Sequence, residues 1–215
     1  MARKTPSEAI EQLQRIAERE VERGDLISAA GRFVDIAKLQ RKAGRYGAEA
    51  LAYDHAASLE AQRAENELRA GQRDSAATAY AGAAIARTRQ AKAHNRAGDK
   101  LAAAEAHSLA AEANTRGAEL HKRIKDAGLA ANAYAYAAKS AKKSASKFKQ
   151  VGAKGLAADK QRQAAKSHLR ASEEYTEKLV KPPLRFRFLG LTHRVRAKRA
   201  LKKAAKLGER RPRRK

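Results

Sequence analysis

The chain has 215 residues, 48 Lys+Arg against 23 Asp+Glu and a formal net charge of +25, with no Cys and no Trp. The lack of cysteine excludes a disulfide framework, a thiolate metal site and a thiol nucleophile, and no apolar run approaches the ~18–20 residues of a membrane span. The start, Met1 to Glu8, lacks the apolar stretch of a secretory signal, so the expectation is one intracellular domain, cytoplasmic or with a nucleoid or nucleus, whose partner is anionic.

In chain order, the first elements expected are helices near 6–22 and 25–42. From Gly44 onward the chain repeats itself. Ala50-Leu-Ala-Tyr-Asp-His-Ala-Ala57 returns as Ala77-Thr-Ala-Tyr-Ala-Gly-Ala-Ala84, as Ala104-Glu-Ala-His-Ser-Leu-Ala-Ala111 and as Ala131-Asn-Ala-Tyr-Ala-Tyr-Ala-Ala138, each 27 residues after the last, with a decayed copy at Ala158–Ala165. Ala37, Ala64, Ala91, Ala118 and Ala145 keep the same interval. So do Gly44, Gly71, Gly98 and Gly152, with Lys125 standing where the ladder asks for glycine. A fixed interval of this size marks stacked helical units.

Each copy is built for helix. Ala makes up 52 of the residues and has the best helix propensity. Ala50, Tyr53, Ala57, Ala61, Ala64 and Leu68 form one apolar stripe at steps of three and four. The glycines read as C-terminal caps, and Asp25, Asp74 and Asp99 suit helix starts. Helices are therefore placed at 46–69, 73–96, 99–124, 128–149 and 155–179, about seven in all. Two shorter helices per copy, or fewer and longer ones, are the open alternatives. The fold class predicted is all-α, an antiparallel helical repeat stack or bundle, with a repeat domain over 1–179 whose 27-residue period runs through about 24–170.

The pattern Gly-x-x-x-x-x-Ala-x-x-Tyr-x-x-Ala-Ala, carried by Gly44–Ala57, Gly71–Ala84 and Gly98–Ala111, resembles one helix of the tetratricopeptide repeat. It is still more similar to the longer Ala-rich helices of the SNAP family, the soluble NSF attachment proteins. That resemblance implies a scaffold for other macromolecules that performs no chemistry. The 27-residue interval is shorter than the tetratricopeptide one, the Trp-Leu-Gly portion is absent, and no binding residues carry across.

Charge is graded along the chain. Residues 1–120 hold 19 basic and 17 acidic side chains, residues 121–179 hold 14 and 5, and residues 180–215 hold 15 and 1. Lys139, Lys142, Lys143 and Lys147 fall on one face of their predicted helix, with Lys154 nearby. A solvated helix face explains such lysines, and so does phosphate binding. Pro182-Pro183 ends the helical repetition. The alternation Leu184-Arg185-Phe186-Arg187-Phe188-Leu189 then reads as an extended linker over 180–190, its aromatics either clasping the helical body or stacking on unpaired bases. Residues 191–215 read as a basic helix followed by a disordered tail. The helix carries Arg194, Arg196, Lys198, Arg199, Lys202, Lys203 and Lys206, and the tail carries Arg210, Arg211, Arg213, Arg214 and Lys215. Self-repulsion implies that this segment orders on a polyanion.

The leading expectation is a non-enzymatic helical scaffold that binds nucleic acid, RNA mildly ahead of DNA, or a nucleoprotein assembly through this cationic third. The alternative is an adaptor whose repeats hold an acidic helical protein. No zinc-type Cys/His set, calcium loop or nucleotide fingerprint occurs, so no cofactor, metal or small-molecule substrate is expected. His107, which replaces the repeat tyrosine, is expected to be a packing residue.

Overall fold

The computed structural model describes residues 5–176 and 184–208, without the side chains of 184–188 and 208. Every regular element among them is an α-helix: α1 (Pro6–Glu22), α2 (Leu26–Lys42), α3 (Tyr46–Arg69), α4 (Arg73–Arg96), α5 (Lys100–Arg123), α6 (Ala127–Gln150), α7 (Lys154–Thr176) and α8 (Leu184–Gly208). Helices α3 to α7 begin 27 residues apart. One helix per copy is therefore correct, and the alternatives of split or fused helices fall.

Local chemistry sets these boundaries. Thr5 opens α1 with a capping box to Glu8, and Asp25, Asp99 and Asp126 accept from backbone N–H groups at the starts of α2, α5 and α6. Asp74 lies inside the first turn of α4, where it meets the helix dipole. The ends are alike. At α3 the Gly71 N–H donates to Leu68 O and the Gln72 N–H to Glu67 O, and the same pair of bonds closes α1, α2, α4, α5 and α6. This Schellman geometry needs a left-handed residue. Glycine supplies it five times, at φ between 72° and 82°, and Lys125 supplies it once, at φ 62°.

Neighbours in sequence are neighbours in space, from α1·α2 through α7·α8. They run antiparallel: Glu65–Tyr80, Asp54–Arg87 and Glu49–Arg96 pair α3 with α4 in reverse order. Ion pairs also reach from a helix to the next but one. Arg116 of α5 bonds Glu65 of α3, and Arg170 of α7 bonds Glu119 of α5. Odd-numbered helices thus lie side by side in one layer and even-numbered helices in the other.

The core between the layers is alanine. Ala37, Ala64, Ala91, Ala118 and Ala145 are buried, as are Ala50, Ala77, Ala104, Ala131 and Ala158. Each copy contributes one larger buried side chain at the same register: Tyr53, Tyr80, His107, Tyr134 and Gln161. Small side chains let helices approach closely, since axial separation depends on what stands at the contact. Tyr134 is fully buried at the centre of a cluster with Ala118, Ala131, Ala171 and Tyr175.

The last helix corrects the sequence reading in two respects. The segment from Leu184, expected to be extended, is helical. A proline halts a helix that runs into it yet is tolerated at the start of one that begins there, and Gly190, His193, Ala197, Ala200 and Ala204 follow helical steps of three, four, three and four. The basic helix also needs no polyanion to seat it. Gly190, His193, Ala197, Ala200 and Ala204 are buried along a single stripe of α8, and α8 lies on α7. At Gly190 the approach is so close that a Cβ would fall 2.2 Å from Thr176 Cγ2.

Candidate macromolecule-binding face

Three grooves lie on the side where even-numbered helices form rims and odd-numbered helices form floors. The first, about 370 Å³ between α2 and α4, has Ile27, Val34 and Ile85 beside Asp35, Glu60, Lys38 and Arg89. The second, about 490 Å³ between α4 and α6, carries Arg89, Lys92, Lys139 and Lys143 with Ile85, Tyr136 and Asn114, and no carboxylate among the described residues lines it. The third, about 440 Å³ between α6 and α8, is lined by Lys142, Arg196, Arg199, Lys202, Lys203 and Lys206 over Gln161 and His168 of α7. It continues into a recess of about 390 Å³ that adds Lys149 and Lys154. From α2 to α8 the face passes from mixed charge to cationic.

The lysines read as one face of α6 divide between two grooves. Lys139 and Lys143 turn toward α4, and Lys142 turns toward α8. Lys147 lines neither, but together with Lys143 and Lys92 its charge bears on His107. Burial above all, then those three ammonium groups, depress the His107 pKa to about 4. His107 is thus a neutral, buried packing residue. Burial, followed by Lys139 and Lys92, also lowers the Lys143 pKa, and crowded like charges of this sort are relieved by an anion.

In α8, Arg196, Arg199, Lys202, Lys203 and Lys206 reach the third groove, whereas Lys198 is exposed elsewhere on the helix. Arg194 instead fastens α8 to α7, its Nε donating to Ser172 Oγ at 2.9 Å. Nearby, His168 and His193 share a proton between their Nδ1 atoms, 2.8 Å apart, with Tyr175 stacked on His193. Burial lowers both imidazole pKa values, His168 to about 4 with His193, Arg196 and Lys142 adding to the effect. The side chains of Arg185, Phe186, Arg187 and Phe188, and all of Arg210, Arg211, Arg213, Arg214 and Lys215, lie outside the described residues.

Sequence reasoning missed Arg89, Lys92, Gln161 and His168 as lining residues. A signal existed for Arg89: it stands 54 residues, two copies, before Lys143. Helices of one layer are two copies apart, so equal registers there face a common groove. Among the described residues, no group of three or more His, Asp or Glu converges as a metal site, and no helix is long and apolar enough to cross a membrane.

No protein-family model matches the chain, and no curated protein matches it. Solved structures similar to it include designed and tetratricopeptide repeat proteins. The DHF119 filament is 18% identical over 95% of this chain and 99% of that one, with a TM-score of 0.48. The de novo designed helical repeat protein DHR64 is 17% identical over 96% and 100%, at a TM-score of 0.42. A tetratricopeptide repeat protein from Parabacteroides merdae is 14% identical over 95% of each chain, at a TM-score of 0.14. These likenesses concern the fold, a helical repeat, and nothing in them singles out the SNAP family.

Proposed function

We propose that the protein is a non-enzymatic helical-repeat scaffold whose even-helix face holds an acidic, amphipathic helical segment of a partner protein. The observation that carries this reading is the α4–α6 groove. There four cationic side chains frame Ile85 and Tyr136, which are 55% and 60% exposed, and no carboxylate among the described residues competes for them. A helix laid between two rims offers apolar residues to such a floor and acidic residues to such a frame. The α2–α4 groove extends the apolar track through Ile27 and Val34.

The test is binding of a synthetic amphipathic helix, Leu on one face and Glu on its flanks, to the full chain by fluorescence anisotropy. Arg89→Glu with Lys143→Glu should weaken it at least tenfold, with a strong dependence on salt. Unchanged affinity would overturn the proposal. One observation favours the nucleic-acid reading as a second possibility: α6 and α8 together carry 14 Lys and Arg and no Asp or Glu. Retrieval of partners from lysate with and without nuclease separates the two, since partners of a protein-binding groove survive the digestion.

A further inference from the structure

The α6–α8 cleft differs from the groove just discussed in charge density. Six cationic side chains, Lys142, Arg196, Arg199, Lys202, Lys203 and Lys206, surround one space of about 440 Å³. None of the six makes an ion pair among the described residues. The floor holds a second anomaly. Gln161 is 7% exposed, its Oε1 has no hydrogen-bond partner among the described residues, and the residue lines both the cleft and the adjoining recess. An amide in this place offers an N–H₂ donor to an anion held in the cleft.

Polymers do not match this density. From Arg196 to Lys206 the cleft runs along α8 for about 15 Å at ~1.5 Å per residue, so an acidic α-helix laid in it turns about three carboxylates inward. One nucleic-acid strand, at ~3.4 Å of axis per phosphate, brings about four in single file. Six cations ask for more charge in the same volume. Adjacent phosphoryl groups on one small molecule supply it, with oxygens for the Arg196 and Arg199 forks.

We propose that the α6–α7–α8 cleft is a binding site for a compact soluble polyphosphate, a molecule with several phosphoryl groups on a short chain or a small polyol ring. The site stands apart from the helical partner's groove, because α6 separates the two and they share no lining residue. Binding is linked to protonation. His168 lines the cleft, and the positive charges facing it, Arg196 and Lys142 with His193 beside it, are those that the ligand neutralises.

Calorimetric titration of the full chain with tripolyphosphate, inositol hexakisphosphate, orthophosphate and a 12-nucleotide single strand tests this. Tripolyphosphate or the inositol phosphate should bind at least tenfold tighter than orthophosphate, and the tighter of the two tells chain from ring. Arg199→Ala with Lys203→Ala should cost at least tenfold, Gln161→Leu a few-fold, and Arg89→Ala with Lys143→Ala less than twofold. The His168 imidazole resonance should titrate at higher pH with ligand bound. Equal losses from both double variants, no preference over orthophosphate, tighter binding of the oligonucleotide, or an unmoved His168 titration would each overturn the proposal. Failure of the helical-partner reading alone would appear as loss of peptide binding with these numbers intact.

Discussion

The two ends of the stack share a backbone plan and use charge in opposite ways. In α1 to α5 several of the basic side chains are consumed inside the molecule. Arg96 Nη1 donates to both oxygens of the buried Glu49 at 2.8 and 2.9 Å, Arg87 bonds Asp54, Arg63 sits between Glu60 and Glu67, and Arg32 reaches Glu20. Along α6 and α8 no acidic residue exists to be met. The same residue types therefore cement one half and confront solvent in the other. A net charge that looks like a property of the whole chain is, in mechanical terms, a property of one face at one end.

The sharpest way to break this comparison is a matched pair of arginine deletions. Arg96→Ala leaves Glu49 as a buried, uncompensated carboxylate and removes the guanidinium that lies over the Tyr46 ring. A loss of about 3 kcal/mol is expected in urea unfolding. Arg199→Ala, on an exposed position without an ion pair among the described residues, should stay within about 0.5 kcal/mol. Similar losses at the two sites would show that the ends are not energetically distinct.

Next comes acid. His107 and His168 have native pKa values near 4 against an ordinary 6.5, because burial disfavours the charged ring. Below pH 6.5 the unfolded chain takes up these protons and the native chain does not, so stability falls as pH drops from about 6.5 to about 4 and is fully present above that window. Each histidine contributes on the order of 1–2 kcal/mol after discounting for partial solvent access. Calorimetry across pH 7 to 4 should show a falling Tm, and His107→Tyr, which restores the residue of the neighbouring copies, should flatten part of the slope.

Salt sharpens the comparison further. Uncompensated lysines and arginines repel one another, so raising sodium chloride from 0.05 to 0.3 M should stabilise the chain by about 1 kcal/mol through screening. In Lys142→Gln with Lys203→Gln that gain should shrink, whereas Arg41→Gln in the charge-balanced half should leave it unchanged. Loss of stability with salt would mean that ion pairs outweigh repulsion.

Much of this molecule is legible in its sequence, and the illegible parts share a cause. The 27-residue ladder of Gly71, Gly98 and Gly152 and of Ala64, Ala91 and Ala118 reports nearest-neighbour geometry, and it places the starts of α3 to α7 to within a residue. Grooves are made by next-nearest neighbours. Arg89 and Lys92 fall in a segment whose charge nearly cancels, so a running sum hides them. Only the layer arrangement shows that their carboxylates are spent on other surfaces while these two face Lys139 and Lys143. The start of α8 misleads for a related reason: a short alternating stretch satisfies a strand period and a helical one together, and packing on α7 decides between them.

The smallest effect is the most local. Lys125 is the one non-glycine residue at positive φ among the described residues, and it closes α5 with the bonds that glycine makes elsewhere: its N–H donates to Lys122 O at 3.1 Å and the Asp126 N–H to His121 O at 2.9 Å. The left-handed conformation costs an L residue about 1–2 kcal/mol, and glycine gives back part of that through the greater freedom of its unfolded chain. Lys125→Gly should therefore stabilise the protein by about 0.5–1 kcal/mol, seen as a higher urea midpoint at unchanged m. Lys125→Ala removes the same charge and keeps the Cβ, so it should show little of the gain. Gly98→Ala, at φ 82° with open space around it, should lose about 1 kcal/mol through backbone strain alone. If Ala and Gly at position 125 stabilised equally, the benefit would come from relieving repulsion among basic residues, and the charge contrast between the two halves would reach into the α5–α6 turn.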